Sequence, residues 1–243
     1  MLWALIFMGA VSSPPTSFSM FQWHAHEMFF GFGWAVLGGF LLTSTKNWVR
    51  VRGYHGGALA FLAAAWLFER AGMWFESAWP PFLFRLSNNL FLVSIIAMIL
   101  WTLVRHRESD AYRGDNVFFL LLLPLFPVAK TLMLGSDHVQ AGWVMAIGLF
   151  RLSFLIMLER TLSQFMKSAF QVDIPRNETL DLSIKVLAGL LVFEGFLSPM
   201  ISAGLDVLLA SLLAVRFVLW KPNLALRRLD IGVRYWGYLF IVA

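Results

Sequence analysis

Long apolar runs separated by short polar segments form the dominant pattern of this chain. One run, from Met28 to Leu42, contains no charged residue at all. A helix needs about 20 residues to cross the hydrocarbon core of a bilayer. The runs predict a partial helix over 1–11, full helices over roughly 21–48, 55–75, 84–104, 116–134, 138–158, 180–197 and 204–220, and a further start near 231. We therefore predict an all-α, polytopic membrane protein with about eight or nine transmembrane helices in a single bundle over 1–243.

Proline positions refine this prediction. Ser12-Ser13-Pro14-Pro15 is typical of a loop, and Ala78-Trp79-Pro80-Pro81 of a turn. Pro124 and Pro127 lie inside the fifth predicted helix, where each removes a backbone hydrogen bond, so a kink is expected there. The polar segment 159–177 is expected to be a connector that is partly helical.

Among the predicted loops, basic residues fall only on alternate ones, which are 45–54, 105–115, 159–177 and 220–230. The opposite loops (12–22, 76–82, 135–137 and 198–203) contain no Lys or Arg. Cytoplasmic loops of membrane proteins carry an excess of Lys and Arg, so this asymmetry assigns the basic loops to the cytoplasm. The basic residues are Lys46, Arg50, Arg52, Arg105, Arg107, Arg113, Arg160, Lys167, Arg176, Lys221, Arg227 and Arg228.

Composition supports a membrane protein and narrows the chemistry. The chain is 59% hydrophobic and 14% charged, with a mean hydropathy of +0.73, whereas soluble domains are about 25% charged. The pI of about 9.9 is explained by the cytoplasmic loops, so no nucleic-acid partner is predicted. The chain has no cysteine, so disulfides and thiolate-bound metals are excluded. A metal would need His, carboxylate or Met ligands.

The predicted topology gathers polar residues at the outer, non-cytoplasmic ends of the helices. His24, His26 and His138 lie there. Charged groups inside a membrane are costly and usually mark a functional interior. We infer a buried polar site that opens to the outer side, lined at least by the second, third and fifth helices. The other ionisable residues at this depth are Glu27, Glu69, Arg70, Arg85, Lys130, Asp137, Glu194 and Asp206.

The segment His24-Ala25-His26-Glu27 is the first candidate for a metal site. Neutral imidazole binds copper, iron and zinc. On a regular helix the two histidines point about 200° apart, so they bind one metal only if the first turn is non-helical, and otherwise serve different centres. Glu27 would then accept a hydrogen bond from a ring N–H, and His138 is a further metal candidate. Polar side chains at helix ends are also often merely interfacial.

Three cations are candidates for binding an anionic group such as a haem propionate. They are Arg70, Arg85 and Lys130. The sequence contains no H-E-x-x-H helix, no P-loop and no G-x-S-x-G elbow, which argues against the proteases, ATPases and lipases that carry those motifs.

The string Trp23-His24-Ala25-His26-Glu27-Met28-Phe29-Phe30-Gly31-Phe32 resembles the NnrS family. This resemblance implies a multi-pass protein of the bacterial inner membrane that binds haem and/or copper and is linked to nitric oxide stress and denitrification. It also implies that His24 and His26 lie on the periplasmic side. Weaker similarities follow the main motif at Gly39–Thr43, Asn47-Trp48, Glu159–Leu162 with Phe165, Arg216–Trp220 and Gly237-Tyr238.

The chain also departs from the family pattern. Family members are longer, and we expect this chain to be a fragment or a shortened relative. Arg234 and Tyr235 stand where a histidine is expected before Gly-Tyr, while Glu159 and Ser163 replace an expected Gly and Pro. Haem or copper binding is therefore expected to be partial or absent.

Three functional hypotheses remain open. The first is an NnrS-type protein with haem and/or copper bound at His24 and His26, for which the sequence defines no catalytic cycle. The second is a non-catalytic transmembrane subunit of a larger membrane complex that has lost the cofactor. The third is a transporter that uses Arg151, Glu194 and Asp206, which the lack of internal repeats does not support.

Overall fold

A computed structural model describes residues 2–110, 112–174, 177–226 and 228–242. Within these residues the protein is helical and contains no β-strand. The chain divides into two compact units, Met1–Trp143 and Val144–Ala243, so the single bundle over 1–243 stays a prediction. Arg176 and Arg227, counted above among the basic loop residues, lie outside the described residues.

The first unit begins with a short helix and continues with longer ones. Between α2 and α3 the helix widens to π geometry over Glu27–Gly33, so that Met20–Trp48 is one continuous helical segment. The α-helices of this unit are α1 (Leu2–Phe7), α2 (Met20–His26), α3 (Trp34–Trp48), α4 (Gly57–Trp74), α5 (Pro81–Arg105), α6 (Arg113–Leu122) and α7 (Leu125–Leu134).

The second unit contains most of α8 and the helices after it. Helix α8 starts before the boundary at Trp143 and continues to Phe170, so Glu159 and Arg160 lie inside a helix, in line with a connector that is partly helical. The helices are α8 (Val139–Phe170), α9 (Glu178–Leu191), α10 (Pro199–Leu219), α11 (Pro222–Ala225) and α12 (Leu229–Val242).

Five helical segments of the described chain are long and apolar enough to cross a membrane. The multi-pass architecture is therefore supported, but the predicted count of eight or nine spans is not confirmed. Two of the remaining helices carry charge or are short: α4 contains Glu69 and Arg70, and α9 has only 14 residues. The five segments are Met20–Trp48, Pro81–Arg105, Arg113–Leu134, Val139–Phe170 and Pro199–Leu219.

The interruption predicted in the fifth helix is confirmed at Pro124, whereas Pro127 lies inside helix α7. Helix α6 ends at Leu122 and α7 begins at Leu125, directly after Pro124. The break has a simple cause, since a proline has no N–H to donate and its ring clashes with the preceding turn. It separates α7, which carries Lys130, from α6.

The start of α2 is fixed by a capping box. The Ser19 side chain accepts a hydrogen bond from the Gln22 backbone at 3.2 Å, and the Gln22 side chain accepts one from the Ser19 backbone at 3.1 Å. The Gln22 amide also donates to the carbonyls of Met133 and Gly135, at 3.3 and 3.2 Å. These contacts hold the beginning of α2 against the end of α7.

Candidate functional site

Six polar residues from four parts of the first unit meet in what we call the His26 cluster. The cluster draws on the second, third and fifth predicted helices, as expected, and on the fourth as well. Its members are His26 on α2, Glu27 on the π-helix, Glu69 and Arg70 on α4, Asn88 on α5 and Lys130 on α7.

The His26 ring is fully buried in this cluster and oxygen atoms surround it. Its Nε2 lies 2.9 Å from Asn88 Oδ1 and 3.4 Å from Glu69 Oε1. Its Nδ1 lies 3.4 Å from Glu27 Oε1. Both ring nitrogens therefore already have partners inside the protein.

The charges of the cluster compensate one another. Lys130, 1% exposed, pairs with the fully buried Glu69 and also donates to the Asn88 carbonyl. Arg70 Nη1 donates to Glu27 Oε2 at 2.6 Å, and its Nη2 lies 3.3 Å from Glu69 Oε1. Two carboxylates thus face two cations, which is the condition under which charge is tolerated in a protein interior.

The π-helix shapes the surroundings of Arg70. A Cβ atom on Gly31 would lie 1.8 Å from Arg70 Nη1, so any larger residue would require the end of the Arg70 side chain to shift. The Gly31 carbonyl accepts a hydrogen bond from the Trp66 indole at 2.8 Å, and Arg70 lies over the Trp66 ring at 5.7 Å. Wide helical turns of this kind are frequent at functional sites.

His24 lies outside this cluster. Its ring stacks on Trp3 of α1 at 4.2 Å and is partly exposed. Because α2 is helical through both histidines, His24 and His26 project in different directions. The structure therefore does not bring the two rings to a common point, and separate roles are the alternative that its geometry favours.

Two other predicted residues are also not brought into the cluster. Arg85 is exposed on α5, and within the described residues no ion pair joins it to the cluster. His138 is exposed directly before α8. Across the part of the chain that the structure describes, no group of three or more His, Asp or Glu side chains is arranged to hold a metal ion. The assignment of metal ligands stays a prediction.

Sequence reasoning gave no role to two members of the cluster. Glu69 stands in the sequence analysis only among the outer-side charges, and Asn88 is not among its candidates. The sequence does signal these two residues, because a polar group inside an apolar membrane helix needs a partner within the protein. The partners, His26 and Lys130, are 43 and 42 residues away from Glu69 and Asn88, and sequence alone does not pair them.

A second buried network lies in the second unit, and we call it the Arg216 cluster. Lys185 Nζ lies 3.1 Å from Glu159 Oε2. Arg216 Nη1 lies 3.6 Å from Glu159 Oε2 and 3.5 Å from Asp181 Oδ1. The Arg216 Nε also donates to the Tyr238 hydroxyl at 3.3 Å. Arg160, predicted as a loop charge, is likewise buried in this unit, at 6% exposure.

This second network brings together residues from three of the five segments with weaker sequence similarity. Glu159 comes from the segment after the sixth predicted helix, Arg216 and Trp220 from the R-x-x-x-W end, and Tyr238 from Gly237-Tyr238. The Arg216 guanidinium lies over the rings of Trp220 and Tyr238, at 4.7 and 5.5 Å. Segments that are far apart in sequence therefore share one structural role in packing around Arg216.

The fold and these networks define a multi-pass α-helical membrane protein with buried, internally compensated charges. A protein-family model described as NnrS protein matches residues 1–243, the whole chain. The chain therefore belongs to the NnrS family, as its histidine motif predicted. Comparisons with curated proteins and with solved structures gave no match.

The predicted ligands do not form a single cofactor site in this arrangement. Both ring nitrogens of His26 face protein oxygens, and Arg70 and Lys130 are paired with carboxylates. A haem propionate would have to replace those carboxylates. His24 is the residue of the histidine motif whose ring stands apart from these pairs.

Proposed function

We propose that this NnrS-family protein binds haem and/or copper at the periplasmic side of the bacterial inner membrane, with His24 as the protein ligand, and acts in the response to nitric oxide. Family membership over the whole chain supports the general function. The observation that carries the choice of His24 is its partly exposed ring, outside the ion pairs that enclose His26. Bound haem or copper would supply the affinity for nitric oxide.

The other predicted residues have supporting roles in this proposal. His26 and Glu27 connect α2 and the π-helix to α4 and α5, because their side chains contact Glu69, Arg70 and Asn88. Trp3 orients the His24 ring by stacking on it. The chain's own residues thus position one imidazole at the end of a membrane segment.

Metal and haem analysis of the purified protein tests this proposal. His24→Ala should remove the bound cofactor, whereas His55→Ala should retain it. His55 is a suitable control because it is an exposed histidine whose ring nitrogen Nδ1 lies 3.0 Å from the nearby Gly53 carbonyl. Unchanged metal and haem content in His24→Ala would overturn the assignment.

A second function is favoured by the compensation of charge. Because Arg70 and Lys130 are already neutralised by Glu27 and Glu69, the cluster is stable in principle without any anionic cofactor. The protein would then be a non-catalytic transmembrane subunit of a larger membrane complex. Purification of the wild-type protein without stoichiometric metal or haem, together with a defined set of membrane partners, would support this alternative against the first.

A further inference from the structure

A cavity of about 220 Å³ lies at the end of the first unit opposite the His26 cluster, and we call it the Lys46 pocket. It is formed by the end of α3, the 51–54 segment and the end of α5. Fourteen residues of α5, or about 21 Å, separate Asn88 from Thr102 at the pocket. The lining residues that matter here are Lys46, Arg52, His106, Thr45, Tyr54 and Trp101.

The pocket presents positive charge without an acidic partner. The cations Lys46 and Arg52 and the imidazole ring of His106 line it, and no carboxylate does. Within the described residues none of these three side chains forms an ion pair, in contrast to every cation of the His26 cluster. The Lys46 stem passes close to the Gly53 backbone, because a Cβ at that glycine would lie 2.7 Å from Lys46 Cδ. An anion entering the pocket would therefore meet cations that no acidic side chain neutralises.

A buried hydroxyl lies at the wall of the pocket. Thr45 is 2% exposed and its Oγ1 has no hydrogen-bond partner in the described structure. A helical threonine usually bonds the carbonyl one turn back, and a buried polar group without a partner is costly. The Tyr54 hydroxyl, 3.1 Å from both the Met98 carbonyl and Thr102 Oγ1, fixes the adjacent wall. Thr45 thus borders the cavity, but its hydroxyl oxygen is closed off from the cavity in this structure.

Part of the wall is apolar, and it includes one strongly exposed aromatic side chain. Leu42 and Ile99 line the cavity, and Trp101 is 66% exposed. The pocket lies at the ends of two candidate membrane segments, Met20–Trp48 and Pro81–Arg105, where lipid headgroups are expected. Basic pockets between membrane helices on the cytoplasmic side are typical headgroup sites.

We propose that the Lys46 pocket binds a phosphate-bearing anion, with Lys46 and Arg52 pairing with the phosphate. The same chemistry could be supplied by the headgroup of an anionic phospholipid or by free phosphate. The apolar wall beside Trp101 suits a ligand that also carries an acyl chain.

Native mass spectrometry of the detergent-purified protein tests this site with three probes: phosphatidylglycerol, phosphatidylcholine and inorganic phosphate. The key variant is the double substitution Lys46→Gln with Arg52→Gln. Each basic side chain near an anionic lipid contributes about fivefold in affinity, so the double variant should lose about 30-fold for phosphatidylglycerol. The control, Arg105→Gln with Arg107→Gln, removes two exposed charges from the same region that do not line the cavity.

The outcomes separate the sources and decide the proposal. Binding of phosphatidylglycerol without binding of phosphate assigns the site to a lipid headgroup. Equal binding of phosphate assigns it to the free anion. Either result supports the site if the double variant loses that binding. An equal loss in the control variant would show diffuse surface charge and overturn the proposal. Equal binding of phosphatidylcholine and phosphatidylglycerol by the wild-type protein would also overturn it, because the site would then not select for an anionic headgroup. The conservative pair Lys46→Arg with Arg52→Lys should keep binding, which excludes misfolding as the cause.

Discussion

The His26 cluster and the Lys46 pocket lie at opposite ends of the first unit. They differ in whether their cations are paired with carboxylates. In the cluster, Lys130 and Arg70 face Glu69 and Glu27 at ion-pair distance. In the pocket, Lys46 and Arg52 face no carboxylate. A buried charge that is paired serves the structure and is costly to expose, whereas an unpaired charge at a cavity is available to a ligand. The two sites should therefore respond differently to the same kind of substitution.

The largest effect is expected from breaking the buried pair in the cluster. Glu69→Ala would leave Lys130 buried without its carboxylate, which typically costs about 3–5 kcal/mol. Unfolding in a detergent titration, followed by tryptophan fluorescence, measures this loss. Glu108→Ala, at an exposed position, is the control and should change little. A loss below about 1 kcal/mol for Glu69→Ala would contradict the role of the pair.

Removing both partners sharpens the same point. Glu69→Leu combined with Lys130→Met replaces a buried pair by apolar side chains of similar volume, which is often neutral. The double variant should recover much of the stability lost in Glu69→Ala, as measured by the same titration. If the double variant loses as much unfolding free energy as Glu69→Leu and Lys130→Met lose together, the two side chains are not coupled.

An intermediate effect is expected at Gly31. In Gly31→Ala the new methyl group would clash with Arg70 Nη1 at 1.8 Å, so the guanidinium must move away from Glu27. We expect a loss of about 1–3 kcal/mol in unfolding free energy, the usual cost of overpacking a tight site. Gly39→Ala is a matched control in the same helical segment, since no atom lies within 4 Å of its added Cβ. Equal stability of the two variants would show that Arg70 is not confined as described.

The smallest effect on stability is expected in the pocket. Lys46→Gln with Arg52→Gln removes charges that have no acidic partner, so the unfolding free energy should change by no more than about 0.5 kcal/mol per site. The same detergent titration measures it in lipid-free protein. A loss comparable to that of Glu69→Ala would mean that these cations are structural, and the contrast between the two regions would disappear.

Part of this structure could be predicted from the sequence for physical reasons. Apolar run length identified the helices, and Pro124 identified the break between α6 and α7. The cost of membrane-embedded charge identified the region that contains His26, Glu27 and Lys130. These signals are local, because each depends on a residue and its neighbours along one helix.

What could not be predicted depends on rotation and pairing between helices. Arg85 and Arg70 lie at similar depth, yet Arg85 faces outward and Arg70 faces Glu27. His24 and His26 are adjacent in the motif, yet one stacks on Trp3 and the other is buried against Asn88. The π-helix has no clear sequence signal beyond its glycines, although it places Gly31 against Arg70. The number of spans was also not settled by hydropathy, since α4 and α9 carry charge.

The most direct measurement is the optical spectrum, with metal and haem content, of the wild-type protein, His24→Ala and His26→Gln, each with and without nitric oxide. If His24 holds the cofactor while His26 serves the buried cluster, His24→Ala should lose the nitric oxide-sensitive absorption. His26→Gln should keep that absorption and lose stability instead. Loss of the absorption in His26→Gln together with its retention in His24→Ala would contradict the account.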